Sequence, residues 1–124
     1  MILEVGLLTE ISPELQEQLR ELQSGQQQLQ AIVSQRMQAD LMVKETERTL
    51  KVLEKLPADE KIYKAVGRIL ISSDKKSVES ELSESKETLG VRMKSIERQE
   101  AKLKEKLSDM QKTLEAELKP HTGG

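Results

Sequence analysis

Leucine spacing constrains this chain more than any other feature of its sequence. Leu15, Leu19, Leu22 and Leu29, followed by Val33, recur in steps built from three and four residues. That rhythm places them along one stripe of an α-helix and predicts a heptad seam. From Val33 the steps become four and four, through Met37 to Leu41, a stutter that unwinds a supercoil locally. Leu50 and Leu53 resume the pattern, and Pro57 ends the helix at or before Leu56, because the residue before a proline avoids helical angles. Ser12-Pro13-Glu14 supplies the start: an N-cap oxygen, a residue suited to the first helical position, and a carboxylate at the positive end of the dipole. A helix over 14–56 is about 65 Å long at 1.5 Å per residue. The second half mirrors the first. Asp74 is its predicted N-cap, and its seam runs through Leu82, Leu89, Met93, Ile96, Leu103, Leu107, Met110 and Leu114, with Glu117 in the next position. Gly25 and Gly90 fall inside these helices at a cost of about 1 kcal/mol each relative to alanine, and the sequence offers no reason for either.

Between the helices the chain changes character. Ile62-Tyr63-Lys64-Ala65-Val66-Gly67-Arg68-Ile69-Leu70-Ile71-Ser72 is β-branched and apolar around a central glycine, which predicts two short strands and a tight turn. Ile69-Leu70-Ile71 is apolar on both faces of such a strand, and only a strand covered on both sides favours that pattern. The expected order is helix, β-hairpin, helix, in a single domain. Its parts are a leader over 1–12, a first coiled-coil helix over 13–56, a hairpin segment over 57–73, a second helix over 74–119 and a tail over 120–124.

If the connector folds the helices back on each other, antiparallel partners share a constant sum of position numbers. Leu15 then faces Leu118, Leu19 faces Leu114, Leu22 faces Met110, Leu29 faces Leu103, Met37 faces Ile96 and Leu50 faces Leu82. Glu47 and Lys86 fall opposite each other in the same register, so opposite charges meet. Composition agrees. Charged residues make up 34% and hydrophobic ones 35% of the 124 residues, with a single aromatic, Tyr63. A chain rich in Ala, Glu, Lys, Leu and Arg with a helical period reads as long helix, and one ring is too few for an ordinary globular core.

Several function classes drop out. The chain has no cysteine and carries a net charge of −2. There are no thiolate metal sites, cysteine nucleophiles or disulfides to expect, and the composition suits a reducing cytoplasm. No apolar run approaches the roughly 20 residues of a bilayer span, and Met1-Ile2-Leu3-Glu4 lacks a basic signal region. An acidic chain with one aromatic offers neither a basic stripe nor stacking platforms for nucleic acid. His121 is the only histidine and sits in the tail. No catalytic set, phosphate loop, metal site or cofactor site can be assembled, and the chain is not expected to be an enzyme.

Ile62-Tyr63-Lys64-x-Val66-Gly67-x-Ile69-Leu70-Ile71, the downstream Glu97-Arg98-Gln99-Glu100 and the Gln-rich Gln26-Gln27-Gln28-Leu29-Gln30 resemble the β class of archaeal prefoldin subunits. The connector has room for one hairpin, where the α class carries two. The resemblance covers roughly residues 14–119. It implies a mainly α fold: a long antiparallel coiled-coil hairpin of helices with a short β-hairpin between them, the hairpins assembling into an intersubunit β-barrel. It also implies an ATP-independent holding chaperone, a hexamer of two α-class and four β-class subunits, whose coiled-coil tips hold non-native protein and pass it to a group II chaperonin. Physical chemistry reaches part of this independently, since an isolated two-stranded hairpin is marginal in water and its edges invite pairing. Ile62, Tyr63, Val66, Gly67, Ile69, Leu70 and Ile71 are the expected subunit interface.

At the free end of the arm, Leu15, Leu19, Leu114 and Leu118 lie beside an apolar leader containing Ile2, Leu3, Leu7, Leu8 and Ile11. Apolar surface of this kind suits loose contact with unfolded clients; the competing reading is that 1–11 is disordered or pairs as an extra strand. Glu10, Glu14, Glu17 and Glu21 make the first helix begin acidic. That is either solubility and dipole complementarity or a docking surface for a basic patch on the chaperonin. Two other classes stay open: a structural coiled-coil scaffold, including a filament-forming prefoldin-like protein, and a helical arm that binds RNA, against which the acidic tip argues.

Overall fold

The computed structural model describes residues 12–118. Two long helices, α1 (Pro13–Glu54) and α2 (Lys75–Leu118), flank an antiparallel hairpin of β1 (Ile62–Val66) and β2 (Ile69–Ser73). Each boundary has a local cause. The Leu15 N–H donates to Ser12 Oγ at 3.1 Å, and the Ser77 N–H donates to Asp74 Oδ1 at 2.7 Å, so both helices open on a side-chain cap. At the end of α1 the ladder tightens. Lys55 and Leu56 N–H donate to the carbonyls of Val52 and Leu53, three residues back, before Pro57 prevents a further turn. Lys75 Nζ then donates to Leu56 O at 2.8 Å and to Glu54 O at 3.4 Å, satisfying carbonyls that the helix end leaves open.

The described residues form two compact units. One contains 12–34 and 98–118. In it Leu107 and Leu114 of α2 are buried, and Leu107 seats directly against Gly25 of α1. The other spans Gln35–Glu97. Its buried residues are Ala39 and Leu53 of α1 with Val78 and Ile96 of α2, and Lys86 Nζ lies 3.6 Å from Glu47 Oε1, the charge pairing read from the register.

The expected stutter is absent. Covered positions on α1 run Leu22, Gly25, Leu29, Ile32, Arg36, Ala39, Val43, Thr46, Leu50 and Leu53, alternating threes and fours without a break. Met37 and Leu41, assigned to the seam from sequence, are 59% and 58% exposed, so Met37 does not pack opposite Ile96. The reason is the kind of residue that holds the true seam. Ala39 is small enough for close approach, and arginine can lay its aliphatic stem along an apolar surface. Thr46 donates its hydroxyl to Met42 O at 2.8 Å, which settles its polar group inside the helix. Gly25 also gains its explanation, because a Cβ there would overlap the Leu107 side chain. Gly90 faces open space, and nothing in the structure explains it.

Candidate functional site

The hairpin is built around one residue. Gly67 has φ of +61°, and no other described residue has a positive φ. With Val66 paired to Ile69, Gly67-Arg68 is a two-residue loop whose first member alone is left-handed, the pattern of a type II′ turn, which matches strand twist and favours glycine there. Tyr63 pairs with Ser72, Lys64 with Ile71 and Ala65 with Leu70. The expected interface residues are therefore gathered on one two-stranded sheet. Ile69 and Leu70 are 65% and 70% exposed, and Tyr63, Val66 and Ile71 are exposed as well. An apolar strand wet on both faces, in a sheet with two open edges, is unfinished on its own. It is anchored by Lys64, whose Nζ donates to both carboxylate oxygens of Glu81 on α2 at 2.9 Å.

The second predicted site lies at the free helix ends. Leu15 and Leu19 are half-buried on α1, and Leu118 is half exposed, while Leu114 is buried at 4% exposure. Ile2, Leu3, Leu7, Leu8 and Ile11 lie outside the described residues, as do Glu10 and His121. Glu14, Glu17 and Glu21 are exposed on α1, and Glu17 sits 3.7 Å from Arg20 Nη1. Sequence reasoning passed over Gln18. It lines a cleft with Glu21, Lys106, Asp109, Met110 and Thr113, and its Oε1 is buried with no hydrogen-bond partner. A polar residue four positions before the seam leucine Leu22 was the signal available for it. Among the described residues no cluster of His, Cys, Asp or Glu could hold a metal ion, and no helix is long and apolar enough to cross a membrane.

Two long helices joined by a hairpin that leaves its apolar faces bare define a class of protein that works as one subunit among several. Comparison with known proteins narrows that class. A family profile described as “Prefoldin subunit” matches residues 16–120. The curated prefoldin subunit beta of Archaeoglobus fulgidus is 41% identical over 114 residues, covering 92% of this chain and 98% of that protein. The corresponding protein of Thermococcus kodakarensis is 40% identical, covering 92% and 97%. The crystal structure of the prefoldin beta subunit from Thermococcus strain KS-1 superposes with a TM-score of 0.81 at 40% identity, over 90% of this chain and 97% of that one. A beta2 subunit from the same strain, 22% identical with a TM-score of 0.67, shares the fold. The chain belongs to the prefoldin family, in its β-subunit branch.

Proposed function

We propose that this chain is the β-class subunit of an ATP-independent holding chaperone in the cytoplasm. Its hairpin, within the segment 57–73, joins those of neighbouring subunits in a shared β-barrel platform. The helices over 13–56 and 74–119 carry the free ends, flanked by the leader over 1–12 and the tail over 120–124. The assembly is a hexamer of two α-class and four β-class subunits that holds non-native proteins and passes them to a group II chaperonin. The observation that carries this reading is the bare hairpin: Ile69 and Leu70 are apolar, exposed and on a strand with an open edge. Closing several such hairpins into a barrel removes the edges and covers those side chains.

Leu15, Leu19, Leu114 and Leu118, with the leader residues Ile2, Leu3, Leu7, Leu8 and Ile11, are the proposed client contacts. Glu10, Glu14, Glu17 and Glu21 are the proposed docking surface for the chaperonin. Native mass spectrometry with and without an α-class subunit, followed by an aggregation assay, tests the reading. A discrete hexamer that keeps a denatured client dispersed supports it; open filaments formed by this chain alone favour the scaffold instead. Deleting residues 1–12 and trimming after Leu107 should weaken holding, and unchanged activity removes the tip from the mechanism. Chaperonin affinity should fall with added salt, and a salt-insensitive complex excludes the acidic surface.

A further inference from the structure

In the unit spanning Gln35–Glu97, a groove of about 590 Å³ lies open between the helices. Met42 of α1 and Leu89 of α2 supply its apolar side, and Glu81, Glu84, Ser85 and Thr88 complete its lining. Met42 is half exposed there. Glu81 is shared: it lines the groove and also receives Lys64 from the hairpin. Glu84, one turn further along, has no ion-pair partner among the described residues.

The hairpin turn is its chemical complement. Arg68 is exposed and likewise without an ion-pair partner among the described residues. It is followed by the exposed Ile69 and Leu70. One surface therefore offers an apolar side with a free carboxylate, and the other an apolar projection with a free guanidinium. No residue of the chain's own turn lines the groove, so a single chain leaves both halves unused.

We propose that the hairpin turn of a second copy of this chain docks in the Met42–Leu89 groove, with its Leu70 on the apolar side and its Arg68 paired to Glu84, which leaves Ile69, on the opposite face of the strand, to the barrel. Arginine suits this contact, since its planar fork can engage a carboxylate through two parallel hydrogen bonds. The contact joins two different surfaces, a turn on one copy and a groove on the other. Its role is register. Edge pairing of short strands specifies alignment weakly, and a charge pair seated beyond the sheet fixes which alignment is taken. The inference rests on copies assembling through their hairpins, as proposed above, and adds a contact outside the sheet.

The chain has no cysteine, so engineered thiols report cleanly. Full-length Arg68→Cys and Glu84→Cys variants are mixed by joint refolding with an α-class subunit, checked by native mass spectrometry, and treated with a mild oxidant. Linked dimers joining 68 to 84 should form several-fold faster than dimers from a control mixture of Arg68→Cys and Glu105→Cys. Separately, Arg68→Glu should slow assembly, and pairing it with Glu84→Arg should restore it. If complexes form but the 68–84 link is no faster than the control, the docking is wrong while hairpin assembly stands. If the wild-type chain forms no complexes, both fall.

Discussion

Gly25 and Leu107 occupy one seat: the leucine side chain fills the space where any larger residue would carry its Cβ, with Leu107 Cγ only 3.4 Å from that position and Cδ2 nearer still. The helix tolerates a residue that costs about 1 kcal/mol in its interior because the partner helix uses the vacancy.

Filling that seat should therefore cost stability. Gly25→Leu is expected to destabilise the assembled protein by about 1–3 kcal/mol through overpacking, despite leucine's better helix propensity. Combining Gly25→Ala with Leu107→Ala should give a smaller loss than the two single changes added together, since Leu107→Ala empties the space that the new Cβ occupies. Chemical denaturation of the four proteins measures it; strict additivity would mean that the two side chains do not share the space.

Gln18 predicts the opposite sign. Its buried amide oxygen lacks a partner, and an unmade hydrogen bond in a covered site costs about 1–3 kcal/mol. Gln18→Leu should raise the denaturation midpoint and slow amide exchange across residues 106–113. Faster exchange would show that the carboxamide contributes more than it costs.

Exposure separates the true seam from its imitation. Met37→Gln and Leu41→Gln, at positions more than half exposed, should change stability by no more than about 0.5 kcal/mol. Ile96→Ala, at a buried position, should cost about 2–5 kcal/mol. Comparable losses at all three would restore the stutter.

Asp74 gives a pH-dependent outcome. The backbone N–H of Ser77, then its hydroxyl, holds the Asp74 carboxyl below its ordinary pKa. A value lowered in the folded state stabilises the protein at pH above the unfolded pKa and loses that contribution as pH falls through the lower folded value. A carboxyl NMR titration should find the folded midpoint below that of the unfolded chain. Asp74→Asn should keep the cap and remove this pH dependence; equal midpoints would remove the cap as its source.

Much of this was legible in residue order. Ser12, Asp74, Pro57 and Gly67 each act locally, within a few residues, so spacing alone revealed both helix starts, the end of α1 and the turn. The seam through Arg36, Ala39 and Thr46 was not legible, because Met37 and Leu41 are the more apolar residues and position on the helix, not polarity, decides which side meets the partner. Gly25 needed Leu107, some eighty positions away, to make sense. The groove at Met42 and Leu89 likewise exists only once α1 and α2 are side by side.

The bare hairpin has a consequence for how this protein is handled. A two-stranded sheet with uncovered faces gains order from whatever covers them, so assembly through the hairpins, as proposed above, would couple their folding to association by mass action. The hairpin's apparent melting temperature would then depend on protein concentration, and dilution would loosen residues 62–73 while the helices, whose contacts lie within the chain, still report a folded protein.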